Sequence, residues 1–461
     1  MKLLSTQSST TSRIVKALSI FGSVQALMIL TSAIRVKVIA VLIGPVGVGI
    51  YSIFWQTMDL LRNVGGLNIS TPAVAEISAL RSKPNDADQR VRHVRRLGAA
   101  LGLITTIIAA LAAPLLSKIM FGNASYTLWF AALSPMVALL IVGSVNNAVM
   151  QAQERLRPLA LSTLWSAMLS SLCTVVFIWI WGLRGIVPAL LLLGVIQYVF
   201  SCIYSSRRIS FSFGWRKVRT TFARSRSLLS MGSYLTVTMA FTMLCSYAFT
   251  IYLNRVYDTD IVGVYQAGYT MLNAYAGAFF VAITMEYYPR LARQGRYPMA
   301  ISAVVNQELR IILRILIPLV VVFVAVAWLL VRILYTKQFE GAVPYVMFGA
   351  PGLLFRAVST ALAYTILAKR DGKIYIWTEI SSSLIGLGLN IAGYEMYGFA
   401  GVGIAYTLWY ASYTATTFVV YRWRYGCVLR SSVWKALVWG VVAVSAAVGA
   451  MLFILPAMTG R

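Results

Sequence analysis

Apolar stretches recur from one end of the chain to the other, many at or above the roughly 20 residues an α-helix needs to cross hydrocarbon. Thirteen spans are expected, over residues 14–42, 46–70, 98–117, 127–151, 158–181, 185–204, 228–254, 261–288, 311–334, 342–368, 374–394, 399–421 and 436–455. Continuous runs of this length, in place of ten-residue alternation, exclude an outer-membrane barrel. The expected fold is an all-α polytopic membrane protein. Composition agrees: 59% of the 461 residues are hydrophobic and 11% charged, with a mean hydropathy of +0.77, whereas a water-soluble domain carries about 25% charged residues. The segment before the first span is polar, and the run after it is too long for a signal peptide and lacks a small-residue cleavage site.

The net charge is +27, from 40 Lys and Arg against 13 Asp and Glu. On a soluble chain this would suggest a nucleic-acid partner. Here the basic residues sit in the short gaps between apolar runs. With the N-terminus placed in the cytoplasm, and Lys16 and Arg332 near span ends counted with the loops beside them, 29 of them fall in inside segments and 6 in outside segments. That bias sets membrane orientation, and one helix missed or invented mid-chain would invert it beyond that point. No nucleic-acid partner is expected. Outer connections as short as Ile43-Gly44-Pro45 make neighbouring helices hairpins.

Several chemistries are excluded. Cys173, Cys202, Cys245 and Cys427 have neither paired nor metal-ligand spacing, and His93, inside the basic run Arg90–Arg96, is the one histidine. A zinc cluster or a histidine dyad therefore cannot form. Gly44–Gly49 is glycine-rich but lies in a hairpin and lacks the Gly-Lys-Ser/Thr ending of a phosphate-binding loop. No cofactor is implied, and ATP-driven transport by this chain alone is not expected.

The two halves echo each other at an offset of 214 to 216 residues: Gly49 and Tyr51 with Gly263 and Tyr265, 115–119 with 329–333, Pro135 with Pro351, and 181–185 with 397–401. Six spans separate equivalent positions, so the repeat is parallel, about an axis along the membrane normal. Such repeats build transporters whose substrate site lies between two lobes. The expected organisation is an N-terminal six-helix lobe (1–206), a basic cytoplasmic linker (207–227), a C-terminal six-helix lobe (228–424) and an additional C-terminal helix (425–461).

A charge inside hydrocarbon costs roughly 2.5–3.5 kcal/mol on insertion scales, so each needs a reason. Arg35, Lys37, Asp59 and Arg62 fall in spans 1 and 2, and Arg314, Arg356 and Glu379 in spans 9 to 11. Glu286 and Glu395 lie close enough to span ends to snorkel. Asp59 and Arg62 are three apart and able to neutralise each other. Lys37 is placed to snorkel outward and Arg314 inward. Arg35 and Arg356 have neither exit, which points to a wet cavity holding an anion. The excess of Arg35, Lys37, Arg62, Arg314 and Arg356 over Asp59 and Glu379 suits phosphate or pyrophosphate, which arginine binds bidentately. Trp181, Trp409 and Trp423 read most simply as interfacial anchors.

The segment Arg35–Tyr51 resembles the signature after the first helix of Wzx-type polysaccharide flippases, of the multidrug/oligosaccharidyl-lipid/polysaccharide exporter superfamily. Gly65–Glu76 is similar to that family's end of helix 2. The resemblance implies translocation of undecaprenyl-pyrophosphate-linked oligosaccharide from the cytoplasmic to the periplasmic leaflet by alternating access. It further implies a multi-pass protein of the bacterial inner membrane, coupling to a proton or sodium gradient, and partnership with membrane lipid and polysaccharide polymerase machinery. Arg35 and Lys37 become cavity or gate cations, and Asp59 or Glu379 carries a coupling proton. Many relatives have a basic residue where Pro72 stands. Two alternatives remain. A cation-coupled multidrug exporter of the same superfamily would carry acidic cavity residues, which are few here. A membrane glycosyltransferase or polymerase needs a large extramembrane domain, and no gap exceeds about 25 residues.

Overall fold

The computed structural model describes residues 2–80, 84–205, 226–275, 287, 291, 297–369 and 371–459. Among these the chain is α-helices joined by short turns, with no strand. Hydrocarbon offers backbone groups no water, and a helix satisfies its own. The helices are α1 (Lys2–Gly65), α2 (Ser70–Ala79), α3 (Pro84–Leu111), α4 (Ala113–Phe121), α5 (Thr127–Ala152), α6 (Leu156–Trp181) and α7 (Ile186–Tyr204). They continue as α8 (Arg226–Val256), α9 (Thr259–Tyr269), α10 (Pro298–Leu334), α11 (Ala342–Ala368), α12 (Gly372–Val419) and α13 (Ser431–Thr459). Seven helical stretches among the described residues are long and apolar enough to cross a membrane. Large apolar side chains such as Leu111, Trp179 and Phe453 are 77, 73 and 85% exposed, as a surface wetted by acyl chains allows.

Most expected spans meet a helix within a few residues; 127–151, 158–181, 185–204 and 342–368 correspond to α5, α6, α7 and α11. Two differences are informative. First, α1 and α12 each join two expected spans across a break, at Gly44 (φ 60°, ψ −166°) and at Tyr397–Gly398. In α12 the chain doubles back. Gly393 packs on Gly401, Gly386 on Trp409, and Glu379 hydrogen-bonds Tyr413, pairs arranged almost symmetrically about the break. Second, much of the expected connection 81–96 is helical. α3 starts at Pro84, and its basic run presents Val91 and Val94 inward to a core shared with Ile69, Ala73 and Ile77 beside α2. Arg90 Nε donates to Glu76 Oε2 at 2.6 Å across that junction. A basic run that keeps apolar residues three apart can bury one face and stay wet on the other.

The expected span 261–288 begins as α9 and continues as a π-helical turn, Thr270–Tyr275. Positions 276–286, Glu286 among them, lie outside the described residues, as does the expected linker over 207–225.

The chain divides into two compact units: Met1–Met243 with Asn254–Val256, and Leu244–Leu253 with Tyr257–Arg461. In the first, α5 is the central helix, packed on α1, α3 and α7 through small residues. Gly98 lies against Val145, Gly102 against Ala138, and Gly194 against Met136. Without a hydrophobic drive between helices in lipid, such close approach supplies dispersion contact. In the second unit α11 takes the central place, with Gly349 and Gly352 against Leu272 and Tyr406. Thr407 and Thr414 of α12 donate to the carbonyls of Phe348 and Phe355 at 2.8 and 2.9 Å, tying the two helices together.

Candidate functional site

Arg356 sits in the middle of α11, on the face turned to α12 and to the π-helical turn after α9. Its Nη1 donates to Asn273 Oδ1 at 3.0 Å, to Tyr406 OH at 3.2 Å and to the Leu272 carbonyl at 3.4 Å. The guanidinium carbon lies 5.5 Å from the Tyr410 ring centroid, within cation–π range. These partners are neutral and orient the guanidinium. The π-helical turn matters here because its register change is a common device at functional sites, and it carries Asn273.

Around the arginine is a cluster of aromatic rings. Tyr265 stacks on Tyr345 at 5.7 Å, Tyr406 lies 4.8 Å from Tyr410, and Tyr410 stacks on Trp409 at 5.0 Å. Trp409, expected as an interfacial anchor, instead turns inward to donate to Ser382 Oγ at 2.9 Å. Trp181 and Trp423 are exposed, as anchors are. One turn beyond Tyr410, the Tyr413 hydroxyl donates to Glu379 on the other arm of the α12 hairpin, with Tyr375 beside the same carboxylate. Arg356 and Glu379 thus belong to one continuous polar and aromatic cluster.

The sequence singled out Arg356 and Glu379 and missed Asn273, Ser382, Tyr406, Tyr410 and Tyr413. A signal for the last three was present: Tyr406, Trp409, Tyr410 and Tyr413 follow the i, i+3, i+4, i+7 spacing of one helix face. Nothing in the sequence said which way that face pointed.

In the N-terminal unit Asp59 and Arg62 form an ion pair at 2.8 Å, as their spacing allows. The Nε atoms of Arg35 and Arg62 are buried without a hydrogen-bond partner, an unfavourable state for a charged donor. Lys37, two residues on from Arg35, is half-buried. Pro72 is buried on α2. Arg314 has a different setting. It lines a pocket with Arg310 and Arg430, a set of residues separate from those around Arg356. Glu395 accepts a hydrogen bond from the Tyr252 hydroxyl.

At one end of the α12 hairpin, outside the spans, Asp371 caps the helix and accepts from Arg424 Nε at 2.7 Å and from Tyr425 OH at 3.3 Å. Burial works against its ionisation, but the bonds from Arg424 and the Ile374 amide outweigh it and hold the carboxyl below its usual range.

Comparison with known proteins places this geometry in context. Residues 74–344 match the family described as polysaccharide biosynthesis protein. The chain is similar to the lipid III flippases of Escherichia coli (strain K12) and Shigella flexneri. Each is 22% identical over 362 residues, covering 75% of this chain and 83% of the relative. Among solved structures it is similar to the lipid II flippase MurJ in its inward closed conformation, with a TM-score of 0.66 at 13% identity over 96% of this chain and 99% of that one. An inward-facing multidrug resistance MATE family transporter of the MOP superfamily aligns with a TM-score of 0.65 at 13% identity, over 91% and 99%. At these identities the structural likeness is one of fold.

Proposed function

The chain belongs to the polysaccharide biosynthesis protein family, and from that premise we propose that it is a flippase carrying undecaprenyl-pyrophosphate-linked oligosaccharide from the cytoplasmic to the periplasmic leaflet of the bacterial inner membrane. It is a multi-pass membrane transporter and not an enzyme, as are the flippases and exporters it is similar to. The observation that carries the substrate class is the setting of Arg356: a guanidinium inside the span region, oriented by neutral oxygens and surrounded by tyrosines. A site of that kind suits an anion attached to a sugar. Its charge serves the pyrophosphate, and flat aromatic faces offer apolar contact to sugar rings.

Arg35, Lys37 and Arg62 of the N-terminal unit act as further cavity or gate cations, with the N-terminus in the cytoplasm. Between the two coupling candidates the local chemistry favours Glu379. Asp59 has its countercharge in Arg62 at 2.8 Å, whereas Glu379 is held by tyrosine hydroxyls and can exchange a proton or sodium ion without breaking an ion pair. Alternating access moves the cargo, and the surface-polysaccharide polymerase receives it.

The test is a deletion strain complemented with wild type or with Arg356→Ala. Loss of surface glycan, with full-length lipid-linked repeat units retained on the cytoplasmic leaflet, is expected from both the deletion and the variant. Intact surface glycan with altered drug susceptibility would overturn the reading in favour of a multidrug exporter. Truncated lipid-linked sugar would point to a glycosyltransferase.

A further inference from the structure

The C-terminal unit has a second basic site that the translocation reading does not use. Arg310 and Arg314 lie one turn apart on α10, and Arg430 immediately precedes α13. Together with Ser431, Ser432 and Ala436 they line a pocket of about 490 Å³. Among the described residues no hydrogen bond or ion pair engages the three guanidinium groups, and Arg310 Nε is buried without a partner. Three like charges around one cavity repel each other, and i, i+4 arginines do so along the helix as well. An anion between them removes that cost.

The pocket is a built feature, because the backbone leading into α13 is tied to α10 beneath it. Buried Asn306 accepts from the Arg430 amide at 2.7 Å and donates to the Val428 carbonyl at 2.7 Å. Ser302 Oγ accepts from the Val428 amide at 2.9 Å. Asn306, Arg310 and Arg314 follow each other at four-residue intervals, so one stripe of α10 first anchors the incoming chain and then presents two guanidinium groups. The first turn of α13 adds amides without intrahelical acceptors and the positive end of the helix dipole, and no acidic residue lies in that turn.

Position and surroundings identify the source of the anion. Arg310 and Arg314 bracket the start of the expected span at 311, and Ala436 starts the expected span of α13, so the pocket lies at the level of lipid headgroups. Next to it, Ile311, Ile315 and Leu319 on α10 are 46, 50 and 50% exposed, and Val438, Trp439 and Val442 on α13 are 59, 72 and 53% exposed. A free phosphate would use the basic pocket and leave this apolar surface idle. We propose that the pocket binds the phosphate of an anionic phospholipid in the leaflet facing the basic loops, with the acyl chains lying along the exposed apolar flanks of α10 and α13.

Native mass spectrometry of the full chain released from detergent tests this, with phosphatidylglycerol, phosphatidylcholine and inorganic phosphate as probes. Wild type is expected to retain one phosphatidylglycerol in preference to phosphatidylcholine, whose headgroup carries a compensating cation. Arg314→Gln with Arg430→Gln, both at exposed positions, weakens that binding roughly tenfold or more, while Arg314→Lys with Arg430→Lys keeps most of it. Size-exclusion behaviour and thermal unfolding check that each variant is folded. Equal phosphatidylglycerol occupancy in wild type and the Gln variant overturns the proposal. So does displacement of the lipid by millimolar inorganic phosphate, which identifies a free-anion site. Unchanged phosphatidylglycerol occupancy with lost oligosaccharide translocation also overturns it and gives the pocket to the substrate path.

Discussion

Gly182 and Gly398, 216 residues apart, adopt the same positive-φ backbone: φ 56°, ψ −132° at one and φ 57°, ψ −137° at the other. The likeness extends to their neighbours. A Cβ on Gly185 would run into the Phe177 carbonyl, and one on Gly401 into the Gly393 carbonyl, again at an offset of 216. Pro135 and Pro351, at the same offset, both lie inside helices, α5 and α11. One turn design, a positive-φ glycine followed three residues later by a second glycine under a carbonyl, thus closes a helical hairpin in each half of the chain.

That equivalence predicts equal sensitivity. Gly182→Ala and Gly398→Ala should each destabilise by about 1–3 kcal/mol, the cost of holding a Cβ in a sparsely populated positive-φ region. Gly185→Ala and Gly401→Ala should cost more, since the obstacle is backbone. Gly388→Ala, where a Cβ meets open space, should be neutral or stabilising. Thermal unfolding of the purified variants reads all five, and a silent Gly398→Ala beside a damaging Gly182→Ala would break the equivalence.

Arg356→Lys should not rescue Arg356→Ala. An ammonium is a point donor, and the site orients a planar fork between Asn273, Tyr406 and the Tyr410 ring. Translocation of lipid-linked oligosaccharide into proteoliposomes should fall roughly tenfold to a hundredfold in both variants. Full activity in the lysine variant would mean that charge alone suffices.

Glu379→Gln keeps a side chain that accepts from Tyr413 but cannot take up and release a proton. Binding of the lipid-linked substrate should survive, while the stimulation of transport by an imposed proton or sodium gradient disappears. Asp59→Asn should leave that stimulation in place. The opposite pattern would transfer the coupling role to the N-terminal unit.

The Asp371–Arg424 contact predicts a pH dependence. A carboxyl held below its unfolded value contributes stability that is present above about pH 4, the ordinary aspartate value, and is lost as pH falls through the folded value. Unfolding temperature should therefore drop on acidification below that point. In Asp371→Asn the acid slope should be shallower and the neutral-pH stability lower; an unchanged slope would show that other carboxylates govern it.

Much of the fold was legible because the bilayer imposes one dominant rule, a helix of fixed minimum length for each crossing, and apolar runs report that rule directly. The ends of α5, α6, α7 and α11 and the breaks at Gly44 and Gly398 followed from it, while the repeat offset came from matched residues in the two halves. The candidate site was legible only in part. Arg356 and Glu379 were visible because a charge in hydrocarbon is costly wherever it points, and so was the Asp59–Arg62 pair, a contact within one helical turn.

By itself, then, the sequence determined the helical class, most of the span positions that fall on described residues, the repeat and the few charges that need an explanation, all local or periodic properties of the chain. Only the tertiary structure decided that Tyr406, Tyr410 and Asn273 gather on Arg356, that Trp409 turns inward to Ser382, that the basic run before Leu97 is helix, and that Arg314 meets Arg430 across 116 positions of sequence. The physical reason is that an aromatic or basic residue on an apolar helix suits a lipid headgroup, a neighbouring helix or a cavity equally well. Which of these it meets depends on the rotation of each helix against its neighbours, and close packing of small residues far apart in the chain sets that rotation.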